Sequence, residues 1–134
     1  MGNQVRAGCQ CGYDEIFVIG GSRGTYRTHS YFPYRCRECG IVEANVAVKP
    51  PVCPNASDHE LARISNSLMD RIFHPVAYLK GVKPRWQAML MLLGLLKPEV
   101  AGQWGDHEIF YEPYHCPKCG KMTLRFKPTG LLFD

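Results

Sequence analysis

Short alternating segments separated by turn residues dominate the hydrophobic pattern of the first half of the chain. A run of large apolar residues predicts a strand over Tyr13–Ile19, and the following Gly20–Gly24 segment is typical of a turn. Thr25–Tyr34 is rich in β-branched and aromatic residues and predicts a returning strand. Ile41–Val48 alternates between apolar and polar positions and predicts another. The pattern therefore indicates antiparallel hairpins.

The middle of the chain has a helical pattern. Apolar residues recur at helical spacing over about Glu60–Phe73, with Asp58 as a candidate N-cap and His74 before a proline at the end. A second helix is predicted from Pro84, a favoured first-turn residue, to about Lys97. We therefore expect a two-helix insert.

The segment Trp86–Leu96 of the second predicted helix is apolar on nearly every side. It is shorter than the roughly 20 apolar residues that a membrane span needs, so no membrane association is predicted. Such a helix is either the buried centre of the fold or an interface for a second copy or another protein. The pattern favours the core slightly.

Strands return near the C-terminus. His107–Tyr114 and Met122–Phe126 both carry the apolar and alternating residues of short strands. Together with the first half and the insert, they predict a small α+β fold.

Seven cysteines in 134 residues point to metal binding. An odd number does not suit a disulfide framework, and Met1–Arg6 lacks the apolar core of a secretory leader, which predicts a cytoplasmic protein. The spacings are those of metal ligands, and zinc is favoured over iron in a rubredoxin-like site and over disulfides. We expect two zinc ions per chain.

The first predicted site joins neighbouring cysteine pairs. Cys9 and Cys11 form a Cys-x-Cys-Gly pair, and Cys36 and Cys39 form a Cys-x-x-Cys-Gly turn, in which two thiolates point at one ion. The hairpin predicted between the pairs runs out from the metal and back. We therefore expect these four cysteines to hold one ion.

The second predicted site uses the remaining ligands. Cys116 and Cys119 form another Cys-x-x-Cys-Gly turn, and Cys53 with His59 supplies the other half of a Cys₃His set. His115, beside Cys116, is the main alternative to His59 as the fourth ligand. His107 and His74 are weaker alternatives.

The two Cys-x-x-Cys-Gly turns, with strands on either side, resemble the zinc-ribbon and rubredoxin-like knuckle superfamily. The resemblance covers roughly residues 8–59 and 107–127 and omits the helical insert. It implies a structural metal and an antiparallel β-core, but it carries no particular function, because such ribbons serve many. We expect two zinc-ribbon β-hairpin lobes, one over residues 1–49 and one over residues 50–134, with the helical insert over about residues 60–106.

Charge and motifs leave the function open between binding and catalysis. The formal net charge is +4; seven thiolates would subtract seven charges and two Zn²⁺ would return four, which leaves about +1. A nucleic-acid surface would then have to be local, and Arg23–Arg37 interleaves arginines with tyrosines in a suitable way.

The leading hypothesis is a non-enzymatic structural-zinc protein that binds protein or nucleic acid. The alternative is a metal-dependent hydrolase or deaminase that uses the second site. The deaminase signature, His-x-Glu followed by Pro-Cys-x-x-Cys, is broken here, because Glu60 follows His59 directly and His115 stands where the proline belongs.

Overall fold

The computed structural model describes residues 2–76 and 84–133. Two short helices have their bounds within these residues, α1 (Leu68–Phe73) and α2 (Arg85–Leu92). The strands in chain order are β1 (Gly2–Gly8), β2 (Asp14–Ile19), β3 (Tyr31–Cys36), β4 (Gly40–Asn45), β5 (Leu61–Arg63), β6 (Val100–Trp104), β7 (His107–Phe110) and β8 (Arg125–Phe133).

The first sheet joins the two ends of the chain. Its order is β2-β1-β8, and both pairings are antiparallel. Val5 lies opposite Phe17, and Ala7 lies opposite Phe126, all in the core. The hydrophobic pattern did not predict β1, because the segment has only two apolar residues after its first glycine and draws its stability from the strands on both sides.

The second sheet is a hairpin with a short third strand. Its order is β4-β3-β5, with antiparallel pairings. The hairpin β3–β4 ends where Cys36 pairs with Gly40, so the first Cys-x-x-Cys-Gly turn is its tip. On the other edge of β3, Cys36 pairs with Leu61.

A third, two-stranded sheet (β6-β7) covers the first. A Cβ atom on Gly102 of β6 would lie 2.5 Å from Cδ1 of Ile19, so glycine is required for this close approach. One large core results, which includes Ile109 of β7 as well as residues of the first two sheets.

Two predicted elements were wrong in part. Residues 23–28 form turns in place of the first part of the predicted strand Thr25–Tyr34, since the N–H groups of Thr25 and Tyr26 donate to the carbonyl of Ser22. The first part of the predicted helix Glu60–Phe73 is β5, because β3 offers a free edge to it.

The first helix begins later than predicted. Asp58 does not cap it: α1 is capped by Ser67, whose Oγ accepts the N–H of Asp70 at 3.1 Å. Only the last turns of the predicted helix are therefore helical.

The second helix is not the buried centre of the fold. Ala88 is its only buried residue, and Trp86 and Met89 are 60% and 59% exposed. It ends at Leu92, and Gly94 follows with a φ of 78°, well before the predicted end at Lys97. The interpretation of Trp86–Leu96 as core is wrong.

The structure supports a small α+β class in which antiparallel sheets predominate. The predicted division between residues 49 and 50 stays a prediction about folding units, but two strand pairings cross it, β1 with β8 and β3 with β5. Within the described ranges, no helix has the length and apolar character needed to cross a bilayer.

Candidate metal centres

Two groups of potential ligands converge in the described part of the chain. In each group the four ligand atoms lie within 4.8 Å of one another. We call the first the outer cluster, because it comes from the two ends of the chain, and the second the inner cluster. The outer cluster consists of Cys9, Cys11, Cys116 and Cys119, and the inner cluster of Cys36, Cys39, Cys53 and His59.

The predicted pairing of these ligands was wrong. The order of the ligands along the sequence predicted that Cys9 and Cys11 join the turn at Cys36–Cys39, and that Cys53 and His59 join the turn at Cys116–Cys119. The structure exchanges the two turns, so one site is nested within the other along the chain. The same residues are candidates, and only their partners differ.

Strand pairing explains the outer cluster. Gly8 at the end of β1 pairs with Arg125 at the start of β8, so Cys9 emerges beside the segment that precedes β8. In that segment Tyr114 and Leu124 form an isolated bridge, and the turn between them carries Cys116 and Cys119. The last turn is therefore held against the first cysteine pair.

The inner cluster forms around the tip of the β3–β4 hairpin. Because Cys36 pairs with Leu61, His59 lies only two residues before a position fixed beside Cys36. Cys53 comes from the connection between β4 and β5. All four inner ligands thus lie within one continuous stretch of the chain.

The outer distances fit a tetrahedral ion. The Sγ atoms of Cys9 and Cys119 are 3.7 Å apart, and those of Cys11 and Cys116 are 3.5 Å apart. Zinc–sulfur bonds of 2.3 Å at tetrahedral angles place neighbouring sulfurs about 3.8 Å apart. A disulfide would require about 2.05 Å, and all seven cysteines are free thiols.

The inner distances fit the same geometry. Sγ of Cys39 lies 3.9 Å from Sγ of Cys53, and Nδ1 of His59 lies 3.7 Å from Sγ of Cys36 and 3.4 Å from Sγ of Cys39. With a shorter zinc–nitrogen bond, the expected nitrogen–sulfur separation is about 3.5 Å. Nδ1 therefore faces the sulfurs as a ligand would.

Hydrogen bonds favour the anionic form of some of the thiols in both clusters. Burial raises the pKa of Cys9, but the Cys11 N–H and the Thr123 hydroxyl, 2.9 Å from the sulfur, outweigh it and lower the pKa to about 6. Burial likewise opposes ionisation of Cys53, and the N–H groups of Asn55 and Ala56 lower its pKa to about 6. Such N–H···S contacts stabilise metal-binding thiolates.

A neighbouring thiol in the outer cluster has the opposite tendency. Burial, with contributions from Cys11 and Cys9, raises the pKa of Cys116 to about 12. Adjacent sulfurs that must share one small volume cannot all become anions without a cation among them. A bound dication removes this conflict, which is why the donor set suits a metal better than four free thiols.

A carboxylate lies behind the histidine of the inner cluster. Nε2 of His59 is 3.5 Å from Oε2 of Glu38, while Nδ1 faces the sulfurs. The hydrogen bond with Cys53 and then the charge of Glu38 raise the pKa of His59. A carboxylate in this position fixes the ring orientation of a metal-binding histidine. Glu38 was not predicted from the sequence, although it lies between two predicted ligands.

The two Cys-x-x-Cys-Gly turns face each other. A Cβ atom on Gly40 would lie 3.1 Å from Cβ of Pro117, in the other turn. A cleft of about 860 Å³ opens beside this contact. The charged residues that line the cleft are Glu15, Arg35, Arg37, Glu38, Glu60 and Lys118. Because they include both signs of charge, the cleft does not favour a polyanionic ligand.

The alternative histidines have other partners. Nε2 of His115 lies 3.3 Å from Oδ1 of Asp70, and Nε2 of His107 lies 2.6 Å from the hydroxyl of Tyr34. The ring of His74 meets that of His115 edge-on. None of the three joins either cluster in the described part of the chain, so His115 was the wrong alternative to His59.

The aromatic and basic stretch Arg23–Arg37 does not form one surface. Tyr34 is buried, and the guanidinium of Arg35 donates to the carbonyl of His115 at 3.3 Å. Arg27 stacks over the ring of Tyr26 at 5.8 Å in the exposed turn. Tyr34 therefore belongs to the core, and Arg35 links β3 to the segment before the second Cys-x-x-Cys-Gly turn.

Comparisons of the chain with protein-family models, curated proteins and solved structures found no match.

Proposed function

We propose that the protein is a non-enzymatic module that binds two structural zinc ions and acts by binding a protein partner. The observation that carries the proposal is that each cluster brings four protein ligands together within 4.8 Å. A structural zinc site is closed by four protein ligands, whereas a catalytic site keeps one position for water or substrate. Both clusters have the closed composition.

The ligand set of the inner cluster is the reason for proposing zinc and not iron. A Cys₄ set accepts either metal, so the outer cluster does not discriminate strongly. A Cys₃His set is a common structural zinc site. We expect the two clusters to hold the same metal because they share one chain and one compartment.

The geometry does not favour the hydrolase or deaminase alternative. That hypothesis required Cys53, Cys116 and Cys119 around one ion with an open position. The structure places Cys53 in the inner cluster and the other two in the outer cluster. Glu38 lies behind a ligand and not on an open face of a site.

A protein partner is favoured over nucleic acid by the surfaces. The cleft beside the metal turns is lined by residues of both charges. In the Arg23–Arg37 stretch, Tyr34 is buried in the core and cannot contact a ligand. A nucleic-acid role would require single-strand binding that weakens steeply with salt. Substitution of Arg23 and Arg27 by alanine, with titration at two salt concentrations, tests that alternative.

The metal sites and their pairing are tested by counting ions in intact protein. We would substitute serine at all four outer ligands and count bound metal by native mass spectrometry. If the clusters are those of the structure, this variant retains one zinc ion, because its inner cluster is intact. Under the pairing expected from sequence, the same substitutions would disable half of each site and remove both ions.

The matched variant replaces the inner ligands, with serine for the three cysteines and alanine for His59. It should also retain one ion. An unmodified chain that binds no zinc, or one whose sites each bind zinc with an exchangeable water ligand, would refute the proposed function.

A further inference from the structure

The first helix attaches to the protein through its polar side. Asp70 contacts His115, and the guanidinium of Arg71 lies 3.4 Å from the carboxylate of Glu112, which is 3% exposed. Just before the helix, the side-chain amide of Asn66 donates to the carbonyl of Pro113. The groups that hold α1 in place are therefore ionic and polar.

The apolar side of this helix faces outward. None of its residues is buried. Its outward residues Met69, Ile72 and Phe73 follow the i, i+3 and i+4 spacing of one helical face. Val76, three residues after the helix ends, extends this row, and the exposures of the four side chains run from 50% to 76%. This orientation is the reverse of that in an ordinary surface helix, whose apolar face meets the core.

The second helix repeats this arrangement. Trp86, Met89 and Leu93 follow i, i+3 and i+7 spacing and are each more than half exposed. The two helices contact each other, and Gly94 lies close to the Arg71 guanidinium of α1. We call the two exposed rows together the helical face.

The helical face is large for a monomer. Its seven side chains, with the neighbouring exposed Leu68 and Leu95, present on the order of 900 Å² of apolar surface, against about 300–600 Å² for the largest patch of a typical monomer. A standard interface buries about 800 Å² on each partner. One copy of the face therefore suffices for one side of a stable interface.

The scarcity of free charge on the helical face indicates that the surface which covers it is also apolar. The charged residues of α1 are engaged with the body of the protein, and Arg85 is the only charged residue of α2. A partner selected by charge would meet no complementary group on the exposed rows. A second copy of the same face matches it in area and in character, as isologous interfaces require.

We infer that the protein forms a homodimer in which the helical face of one chain buries that of the other. This deepens the proposed function by naming a second copy of this chain as its partner. A groove of about 470 Å³ adjoins the face between Phe73–Val76 and Lys121–Thr123. It offers a recess for a large side chain of the second copy.

The oligomeric state of the zinc-loaded 134-residue chain is the direct test. Sedimentation equilibrium over a range of concentrations should give twice the 15.2 kDa mass of one chain at the upper end. Replacing Met69 and Met89 by lysine puts one charge on each helix and should yield a monomer. The control replaces Ile16 and Leu132 by lysine; both are exposed on strands outside the face and should leave the dimer intact.

A second measurement does not depend on a charged variant. In a Trp104→Phe background, the emission of Trp86 reports on its burial. It should shift to shorter wavelength as concentration rises and association proceeds.

The outcomes separate this inference from the metal proposal, because zinc is counted in the same samples. A monomer at every concentration with both zinc ions bound overturns the dimer alone. A dimer that survives the paired methionine substitutions with both zinc ions retained also overturns it, because another surface must then be the interface. Monomeric protein that binds neutral lipid vesicles through Trp86 would assign the face to a membrane surface and refute the inference.

Discussion

At the scale of single residues, His59 and Glu38 show how the inner cluster is ordered. The histidine presents Nδ1 to two sulfurs and Nε2 to the carboxylate, so its orientation is set from both sides. Glu38 itself lies within the Cys36–Cys39 turn. One turn therefore supplies two ligands and the residue that orients a third.

Glu38→Gln should weaken zinc binding at the inner cluster by about tenfold or more, because the ring loses the anion that orients it and raises its basicity. Competition with a chromophoric chelator measures the affinity. Glu60→Gln is the matched control, since Glu60 is exposed and directly follows His59 in the sequence. Equal affinities in the two variants would show that Glu38 has no such role.

The glycines that end the two metal turns can be compared directly. Both have positive φ, 89° at Gly40 and 71° at Gly120, so alanine at either should cost about 1 kcal/mol. Only Gly40 has a neighbour in the way, Cβ of Pro117 at 3.1 Å. We expect Gly40→Ala to lower the unfolding free energy of the zinc-loaded protein more than Gly120→Ala, as measured in urea. The reverse order would mean that the two turns do not touch.

At the scale of elements, the final strand shows how tertiary contacts determine structure. β8 includes a proline and a glycine, and its pattern predicted only a short strand over Met122–Phe126. Pairing with β1 gives a strand over Arg125–Phe133 instead, so the predicted strand began three residues too early and ended too soon. Similarly, Leu61–Arg63 has a helical pattern but pairs with β3. The backbone hydrogen bonds gained at the edge of β3 outweigh the weak helix propensity of this segment.

Phe126→Ala should cost about 3–5 kcal/mol of unfolding free energy, because the ring is fully buried and its removal leaves a cavity. Phe126 packs against Phe17 and Tyr114 at centroid distances of 6.5 and 5.6 Å.

Leu132→Ala on the same strand is the control for this substitution. It should change stability by less than about 0.5 kcal/mol, since Leu132 is 81% exposed. Urea denaturation of the zinc-loaded protein measures the unfolding free energy of both variants. Similar losses of unfolding free energy would contradict the structure, because they would mean that the two side chains are equally buried.

At the scale of the whole molecule, the two clusters close loops of very different length. Cys9 and Cys119 are 110 residues apart in the chain, whereas Cys39 and Cys53 are 14 residues apart. A cross-link across about 100 residues removes more entropy from the unfolded chain than one across about 15 residues, by roughly 1.5–2 kcal/mol. An ion held by the outer cluster would therefore link the two ends of the chain.

Loss of the outer ion should therefore destabilise the protein more than loss of the inner ion. The two four-ligand variants designed above permit the comparison, each loaded with its remaining zinc. The outer variant should unfold at a lower urea concentration. Equal midpoints, or a less stable inner variant, would show that loop closure does not dominate the contribution of these sites.

The ligand types, their tight turns and the main hairpins could be predicted from the sequence alone. The Cys-x-x-Cys-Gly spacing acts over a few residues, and the apolar run of β2 and the alternation of β4 report local burial. Both signals can therefore be recognised without knowledge of the fold. The correct inner set was also accessible, because Cys36, Cys39, Cys53 and His59 occur consecutively along the chain and close short loops.

Only the tertiary structure decided which turn meets which pair and which side of the helices faces outward. The pairing depends on hydrogen bonds between β1 and β8, strands more than 100 residues apart whose backbone groups carry no sequence signal. The orientation of α1 depends on the contacts of Asp70 with His115 and of Arg71 with Glu112. A helical pattern defines an apolar face, but only packed neighbours determine whether that face is covered.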